Sequence, residues 1–278
     1  MIRDLGTTRR GFVAGAMLAP LAARAALAAQ KQQRLRLGVA SYSFMKFSRA
    51  DAIKMIGQLG LNCVSIKDFH LSQKSTPEQQ AAWAKEFRDA GITITGGGTF
   101  TMNSNDETVL RAVFDYAKAC GMPLMVMAPT AQNLPQIEKL VKEYNIKAAI
   151  HNHGAGDRNF GTPLLALKAV EGMDPRMGLC IDVGYTLQSG LDVVEMVRQA
   201  GSRLLDMHVW DSLTAGRKSQ PCPVGDGVLP VAAMFKQLMQ MNYSGMVNLE
   251  YELEPENPMP GMIKSLAYMR GVLDAVSA

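Results

Sequence analysis

The chain has 278 residues but only four histidines, and all four fall at or just after short apolar runs that predict β-strands. Random placement would scatter them over helices and loops. An isolated histidine at a strand end usually has a structural role, whereas several together favour a shared site. The four are His70, His151, His153 and His208.

Carboxylates and other polar side chains follow the same apolar runs. Imidazole and carboxylate groups at the ends of several strands can converge on one divalent ion. Mixed nitrogen and oxygen ligation suits Zn²⁺, Mn²⁺ or Co²⁺ better than Ca²⁺. The sequence therefore predicts one divalent metal ion as cofactor. The polar residues that accompany the histidines are Lys67, Asp68, Asn152, Asp182, Tyr185, Trp210, Asp211, Glu250 and Glu252.

Eight apolar runs must position these side chains, and they alternate with amphipathic stretches from residue 35 onward. Their starts recur roughly every 25–30 residues, with a longer interval before the last, which fits repeated βαβ units. Eight units predict an α/β protein with a (β/α)₈ TIM barrel, whose active site lies at the carboxyl ends of the strands. The candidate strands are Arg36–Ser43, Cys63–Phe69, Ile92–Gly97, Pro123–Ala128, Lys147–His153, Met177–Val183, Leu204–Trp210 and Met246–Glu252.

A doubly wound open sheet is the alternative architecture. It usually carries a Gly-rich phosphate-binding turn after its first strand. The first predicted strand instead ends in Ala40-Ser41-Tyr42-Ser43-Phe44, and Gly96-Gly97-Gly98 lacks the dinucleotide-binding spacing. The sequence therefore favours the barrel, as a single domain over residues 29–278.

Helix starts are marked by capping residues. Thr76 followed by Pro77 and by Gln79 predicts the beginning of a helix with a capping box. Thr162-Pro163 and Leu229-Pro230 indicate two further helix starts.

Composition and charge exclude other classes of protein. A chain with 47% apolar and 19% charged residues is not intrinsically disordered. Of 29 basic and 25 acidic residues, four basic and one acidic lie in residues 1–28, which leaves 25 basic and 24 acidic. A nucleic-acid-binding protein needs a concentrated basic surface, so this near-neutral balance argues against one.

The first 28 residues predict an export signal. Arg9-Arg10 precedes an uncharged, Ala-rich stretch, and Ala26-Leu27-Ala28 supplies a small-x-small cleavage pattern. The run from Thr8 to Val13 resembles the twin-arginine signal. A membrane span needs about 20 apolar residues, and this stretch is shorter. We therefore expect a periplasmic mature protein without a membrane span.

The mature chain resembles the xylose-isomerase-like TIM-barrel superfamily, whose members are often called sugar phosphate isomerases/epimerases. The resemblance covers nearly the whole mature chain. It lies in Val64-Ser65-Ile66-Lys67-Asp68-Phe69-His70-Leu71, Ala149-Ile150-His151-Asn152-His153-Gly154, Cys180-Ile181-Asp182-Val183-Gly184, Asp206-Met207-His208-Val209-Trp210-Asp211, Gly225-Asp226-Gly227-Val228 and Tyr243-Ser244-Gly245-Met246-Val247-Asn248-Leu249-Glu250.

The resemblance implies one divalent metal held by Glu, Asp, His and Glu from strands five to eight. Asp182, His208 and Glu250 match the last three positions, but His151 stands where the first Glu is expected. In the epimerases of this superfamily the two Glu ligands also form the acid/base pair, so this departure bears on the reaction. Tyr185 and Trp210 also replace the His and Lys that often contact the sugar.

The function implied is a metal-dependent isomerase or epimerase of a free sugar or keto sugar, working through an enediolate. Glu250 is the candidate base, and His153 or His70 would return the proton. Lys67 and Asp211 would orient hydroxyl groups, and Tyr185 and Trp210 would contact the sugar ring. The expected partner is a small carbohydrate. An unphosphorylated one is favoured, because sugar phosphates are cytoplasmic and no Arg clamp for phosphate is evident.

Two alternatives remain open at this point. A lyase could begin with the same proton abstraction beside a ketone and then lose a β-substituent, which would cleave a 3-keto-glycoside. A non-catalytic periplasmic sugar-binding barrel is the other alternative, and the missing strand-five Glu favours it. A nuclease on a related barrel would need more histidines and a basic groove.

Overall fold

A computed structural model describes residues 34–278 of the chain. The predicted signal peptide, residues 1–28, and its cleavage site lie outside the described residues. Among the described residues no helix combines the length and the apolar character needed to cross a membrane.

Eight parallel strands form a closed barrel, which confirms the predicted fold class. The barrel strands are β1 (Arg36–Ala40), β2 (Cys63–Ile66), β3 (Thr93–Met102), β4 (Leu124–Pro129), β5 (Lys147–His151), β6 (Met177–Asp182), β7 (Leu204–Val209) and β10 (Met246–Leu249), while β8 (Asp211–Ser212) and β9 (Pro221–Cys222) lie outside the barrel. Each strand pairs with its neighbours in the order β1-β10-β7-β6-β5-β4-β3-β2, and the pairing of β1 with β10 joins the first and last barrel strands.

Helices surround the barrel and cover its outer face. They are amphipathic, and their apolar stripes pack on strands that are themselves buried on both faces. The described helices are α1 (Arg49–Gln58), α2 (Pro77–Asp89), α3 (Glu107–Cys120), α4 (Leu134–Tyr144), α5 (Pro163–Ala169), α6 (Val183–Gln188), α7 (Val193–Ala200), α8 (Val231–Gln240) and α9 (Met259–Ser277).

The predicted helix starts are confirmed. The Thr76 hydroxyl accepts a hydrogen bond from the Gln79 backbone N–H, and the Gln79 side chain accepts one from the Thr76 N–H. Pro163 opens α5 directly after Thr162, and α8 begins one residue after Pro230.

The barrel interior is filled by side chains rather than open. Leu124, Val126, Ala149 and Cys180 contact one another there, with Leu205 packed against them. Inward-pointing side chains of such barrels come in layers, each supplied by alternate strands. This layering decides which side chains meet at the mouth.

Six of the eight barrel strands end one to three residues earlier than the sequence predicts, and β1 is an example. β1 ends at Ala40, and Ser41–Phe44 form a short 3₁₀ turn instead of strand. The Ser41 hydroxyl accepts the Lys67 backbone N–H at 2.7 Å, and the Ser43 hydroxyl accepts the Tyr251 N–H at 2.8 Å. The two serines therefore bond to the backbone just after β2 and just after β10, and the turn leaves the sheet at Ala40.

The mouth also carries a small hairpin that the sequence did not predict. β8 (Asp211–Ser212) and β9 (Pro221–Cys222) pair antiparallel directly after β7. Strands of two residues leave no periodic pattern to detect.

All four cysteines are buried in the described part of the chain, and none forms a disulfide there.

Candidate metal centre

Four side chains bring one donor atom each to a common point at the carboxyl ends of the strands. His151, Asp182, His208 and Glu250 each have a donor atom within 4.8 Å of the others. His151 Nε2 lies 3.1 Å from His208 Nδ1 and 3.6 Å from Asp182 Oδ2, and His208 Nδ1 lies 3.0 Å from Glu250 Oε2. The predicted convergence of these four residues is present.

The barrel register explains this meeting. β5 and β7 supply the two histidines, and the strands that alternate with them, β6 and β10, lead to the two carboxylates. His208 is in register with Asp182 on the adjacent strand. Glu250 follows the last residue of β10, and its N–H donates to the Val209 carbonyl, which extends the ladder by one residue. The histidines therefore form one layer and the carboxylates the layer above it.

The donor set fits a divalent ion. All four side chains are buried, with 0–7% of the side chain exposed. Two carboxylates buried this close together are unfavourable unless positive charge accompanies them. The outer ring nitrogens, His151 Nδ1 and His208 Nε2, find no hydrogen-bond partner among the described residues. Two imidazoles and two carboxylates match the ligands of zinc, manganese or cobalt.

Burial and mutual charge shift the pKa values of the cluster in opposite directions. Burial alone would raise the pKa of Glu250, but the charge of His208 and its hydrogen bond outweigh this and lower the pKa to about 2. Burial and then the charge of Glu250 raise the pKa of Asp182 to about 8. Protons therefore occupy the cluster near neutral pH, and an ion that binds there must displace them.

Asp182 is held by two further contacts. Its Oδ1 accepts the Tyr185 backbone N–H at 2.7 Å, because Asp182 is also the N-cap of α6. Its Oδ2 accepts the Trp210 indole N–H at 3.0 Å. Asn152 fixes the backbone of Asp182 by accepting its N–H and donating to its carbonyl. Both carboxylate oxygens are thus oriented before any ligand arrives.

A cleft of about 170 Å³ opens above the four donors. Tyr185 and Trp210 form one wall, with ring centroids 5.5 Å apart and perpendicular planes. None of its lining residues is Lys or Arg. The lining consists of Asp182, Tyr185, Gln188, Trp210, Pro221, Cys222, Glu250, Tyr251, Glu252 and Leu253.

Two more predicted residues lie near the donors. The His153 ring centroid is 4.3 Å from that of His151, and its side chain is about one-third exposed, at 34%, with Nδ1 3.5 Å from Asp157. Lys67 Nζ lies 4.8 Å from the centroid of the Tyr42 ring. Its positive charge is close enough to help lower the pKa of Glu250, after burial and His208 are counted.

The structure does not bring His70 to the donor cluster. Its side chain is buried, with Nδ1 3.0 Å from the Ser41 hydroxyl and its ring against Phe69. Burial lowers the pKa of His70 to about 4, so the imidazole is neutral. The catalytic role predicted for His70 is therefore replaced by a structural one beneath the β1 turn.

Asp211 also departs from its predicted role of orienting substrate hydroxyls. Its carboxylate is fully buried and accepts four backbone N–H groups that follow it in the chain. The donors are Ser212 and Leu229 to Oδ1, and Gly225 and Gly227 to Oδ2, at 2.7–3.2 Å. Asp211 therefore organises the loop that carries the hairpin beside the cleft.

We expect Asp211→Ala to destabilise the protein by about 2–4 kcal/mol, since buried N–H groups lose a charged acceptor. Denaturant unfolding measures this. Asp226→Asn in the same loop is the matched control, because the Asp226 side chain is partly exposed and, among the described residues, forms its ion pair only with Lys264 at the surface. It should change stability by less than about 0.5 kcal/mol. Unchanged stability of Asp211→Ala with a raised KM would instead restore the hydroxyl-binding role.

One residue at the cluster escaped the sequence analysis. Cys180 lies on β6 in register with His151, and it has a donor atom within 4.8 Å of donor atoms on both ligand histidines. Its place in a buried strand by itself indicates only a small apolar side chain. The signal was its position two residues before Asp182, because residues two apart share a strand face.

Comparison with known proteins gives the family. A family model described as xylose isomerase-like TIM barrel matches residues 53–272. The chain belongs to this family, which confirms the resemblance drawn from its motifs.

Individual relatives are more distant. The inosose dehydratase of Clostridium tetani is 28% identical over 159 residues, which cover 50% of this chain and 52% of that protein. The chain thus spans about half the length of the curated relatives that it matches. A D-tagatose 3-epimerase-like protein has a TM-score of 0.71 at 17% identity, over 87% of this chain and 98% of its own. D-psicose 3-epimerase with D-tagatose, from Clostridium cellulolyticum H10, has a TM-score of 0.70 at 14% identity, over 86% and 99%. At these identities the structures show a shared fold.

Proposed function

We propose that the chain is a metal-dependent sugar isomerase or epimerase that acts on a free sugar or keto sugar by removing a proton next to its carbonyl group. The observation that carries this proposal is the convergence of His151, Asp182, His208 and Glu250 beneath a cleft. Membership of a family of sugar-processing enzymes supports it.

His151, Asp182, His208 and Glu250 would hold the ion. When bound, it would supply Lewis-acid stabilisation of the negative charge that develops on a carbonyl oxygen. The chain's own residues orient the donors, since Tyr185 and Trp210 fix the two oxygens of Asp182.

Glu250 and His153 are the residues that would transfer the proton. Glu250 lines the cleft and has a lowered pKa, so it is ionised and able to accept a proton. His153 lies beside it and is partly exposed, so its imidazole can exchange protons with solvent. Burial lowers the pKa of His153, which favours the neutral form of the ring. Removal of the proton by Glu250 gives an enediolate, and its return at another carbon, or on the other face, gives the product.

The charge at the cleft supports a neutral substrate. Glu250, Glu252 and Asp182 line it, while no basic residue does. Burial, and then the neighbouring charge of Glu250, raise the pKa of Glu252 to about 7, although the charge of Lys67 opposes the shift. The negative charge of a phosphate group would therefore be unfavourable beside these two carboxylates. The aromatic wall of Tyr185 and Trp210 suits the apolar face of a sugar ring.

A lyase is the second candidate, and one observation favours it. His151 replaces the carboxylate that would complete a symmetrical acid/base pair, while elimination needs only one base and a donor for the leaving group. The partial relatives named inosose dehydratase support the same idea. In this reaction the proton leaves from the carbon beside the ketone, and the β-substituent departs with the electron pair.

The predicted twin-arginine signal adds a location to the proposal. A periplasmic enzyme would meet free sugars and glycosides rather than the phosphorylated sugars of the cytoplasm. Export of a reporter fused to residues 1–40, with and without Arg9→Lys and Arg10→Lys, tests this part independently of the activity.

The reaction is tested in D₂O with the metal-loaded protein, after chelation, and after metal is restored. Free hexoses, keto sugars and 3-keto-glycosides are the probes. We expect metal-dependent deuterium at the carbon next to a carbonyl, in an isomer of unchanged size. Two fragments would identify the lyase instead. Binding of sugar without exchange or turnover would overturn both and leave a sugar-binding barrel.

A further inference from the structure

A second set of donors shares the two histidines of the candidate metal centre. Donor atoms of His151, His208 and Cys180 all lie within 4.8 Å of one another, as do those of the four-residue set. Cys180 is fully buried and forms no disulfide, and its thiol lies beside the His208 imidazole. The same imidazoles therefore have carboxylates as partners in one set and a thiol in the other.

The layers of the barrel place these two sets on opposite sides of the histidines. On β6, Cys180 and Asp182 are two residues apart and face the interior together. Asp182 is in register with His208, whereas Cys180 is in register with His151 on the other neighbouring strand. Cys180 also belongs to the apolar cluster that Leu124, Val126 and Ala149 form in the filled interior. The thiol thus lies one layer deeper than the carboxylates.

A second observation points to a ligand. His151 Nδ1 and His208 Nε2 are buried and have no hydrogen-bond partner among the described residues, while the other nitrogen of each ring faces the carboxylate layer. Their side chains are only 4% and 0% exposed. Buried imidazole nitrogens without a partner are costly and usually meet a proton acceptor or a metal.

We propose that His151, His208 and Cys180 form an alternative binding position for thiophilic divalent ions, in particular Cd²⁺ and Zn²⁺. Thiolate ligands select soft ions, whereas carboxylates suit Mn²⁺. Both positions use the same two imidazoles, and two divalent ions so close together would repel each other, so we expect one ion at a time. Cys180 thus determines which ion occupies which set of donors. The inference uses the ion-binding part of the proposed function, but it does not depend on the reaction.

X-ray absorption spectroscopy of the whole protein, stripped of metal and loaded with one equivalent of a single ion, tests the proposal. With Zn²⁺ we expect a sulfur neighbour at about 2.3 Å, because the thiol loses its proton on binding. Cd²⁺ should also show a sulfur neighbour. Mn²⁺ should show only nitrogen and oxygen.

Two variants identify the sulfur. Cys180→Ser should remove the sulfur neighbour and weaken Cd²⁺ binding by at least about tenfold, with Mn²⁺ affinity unchanged. Cys222→Ser is the matched control, because Cys222 lines the cleft from β9 and is the other thiol near the donors. It should retain the sulfur neighbour. If Cys180→Ser does not fold, Cys180→Ala is used in its place. If neither variant folds, the wild-type spectra alone still show whether the ion has a sulfur neighbour.

The outcomes separate this inference from the proposed function. Wild-type Zn²⁺ and Cd²⁺ spectra without sulfur overturn the inference while leaving the four-residue site in place. Loss of sulfur in Cys222→Ser, with sulfur retained in Cys180→Ser, overturns it as well. A wild-type protein that binds none of the three ions contradicts both the inference and the metal dependence of the proposed reaction.

Discussion

Replacing Glu250 by glutamine is expected to lower the rate of deuterium exchange by about 10²–10⁴-fold, the usual contribution of a positioned general base. Glutamine keeps the size of the side chain and one oxygen donor but cannot accept the proton. The Oε2 atom of Glu250 is also 3.0 Å from His208 Nδ1, so the variant loses the buried charge pair. Exchange rates and metal content are measured on the same preparation.

Glu252→Gln is the matched control for that experiment. Glu252 lines the same cleft two residues later, but it lies outside the four-donor cluster. We expect its exchange rate to stay within about tenfold of the wild type. Equal losses in both variants would show that the general charge of the cleft matters rather than one base. A Glu250→Gln protein that binds metal and exchanges normally would remove Glu250 from the mechanism.

Replacing Gly184 by alanine is expected to disturb the metal centre without touching a ligand. Gly184 lies in the first turn of α6, and a Cβ atom there would overlap the indole ring of Trp210. Trp210 must then move, and its hydrogen bond to Asp182 Oδ2 is lost. Loss of such a supporting contact typically weakens metal affinity or activity by about 10–100-fold. Overpacking should cost about 1–3 kcal/mol of stability.

Gly271→Ala gives the opposite expectation and serves as control. Gly271 lies inside α9, and a Cβ atom there would meet nothing within 4 Å. Alanine should therefore stabilise the helix by about 0.5–1 kcal/mol and leave metal affinity unchanged. Thermal unfolding and metal titration cover both variants. Wild-type metal affinity in Gly184→Ala would show that Trp210 does not position Asp182.

The fold was predictable because its signals are local and repeated. Continuous apolar strands, capped helices such as the one that starts at Thr76, and regular spacing all indicate the same barrel. The errors lie at strand ends. Ser41 and Ser43 look like strand residues by pattern, but their hydroxyls bond to the backbone of distant loops, and no local pattern carries that information.

The candidate site was predictable in its ligands and less so in its surroundings. His151, Asp182, His208 and Glu250 follow from strand ends and family motifs. Asp211 also stands at a strand end, yet its partners are the N–H groups of a loop 14–18 residues further along. His70 likewise follows a strand, but its ring contacts the Ser41 hydroxyl in the turn after β1. Beyond the end of a strand, the direction of a side chain depends on the conformation of the loop. The alternation of side chains between the two faces of a strand no longer applies there.

The bond between Ser43 and the Tyr251 N–H links residues 208 positions apart, right beside Glu250. β10 reaches its place only by pairing with β1 and β7, so the fourth donor arrives when the ring closes. A nascent chain that has emerged only as far as α8 already contains the other three donors but not this one. The complete donor set therefore exists only once β10 has joined the ring, and we expect a chain truncated after α8 to bind a divalent ion more weakly than the whole chain.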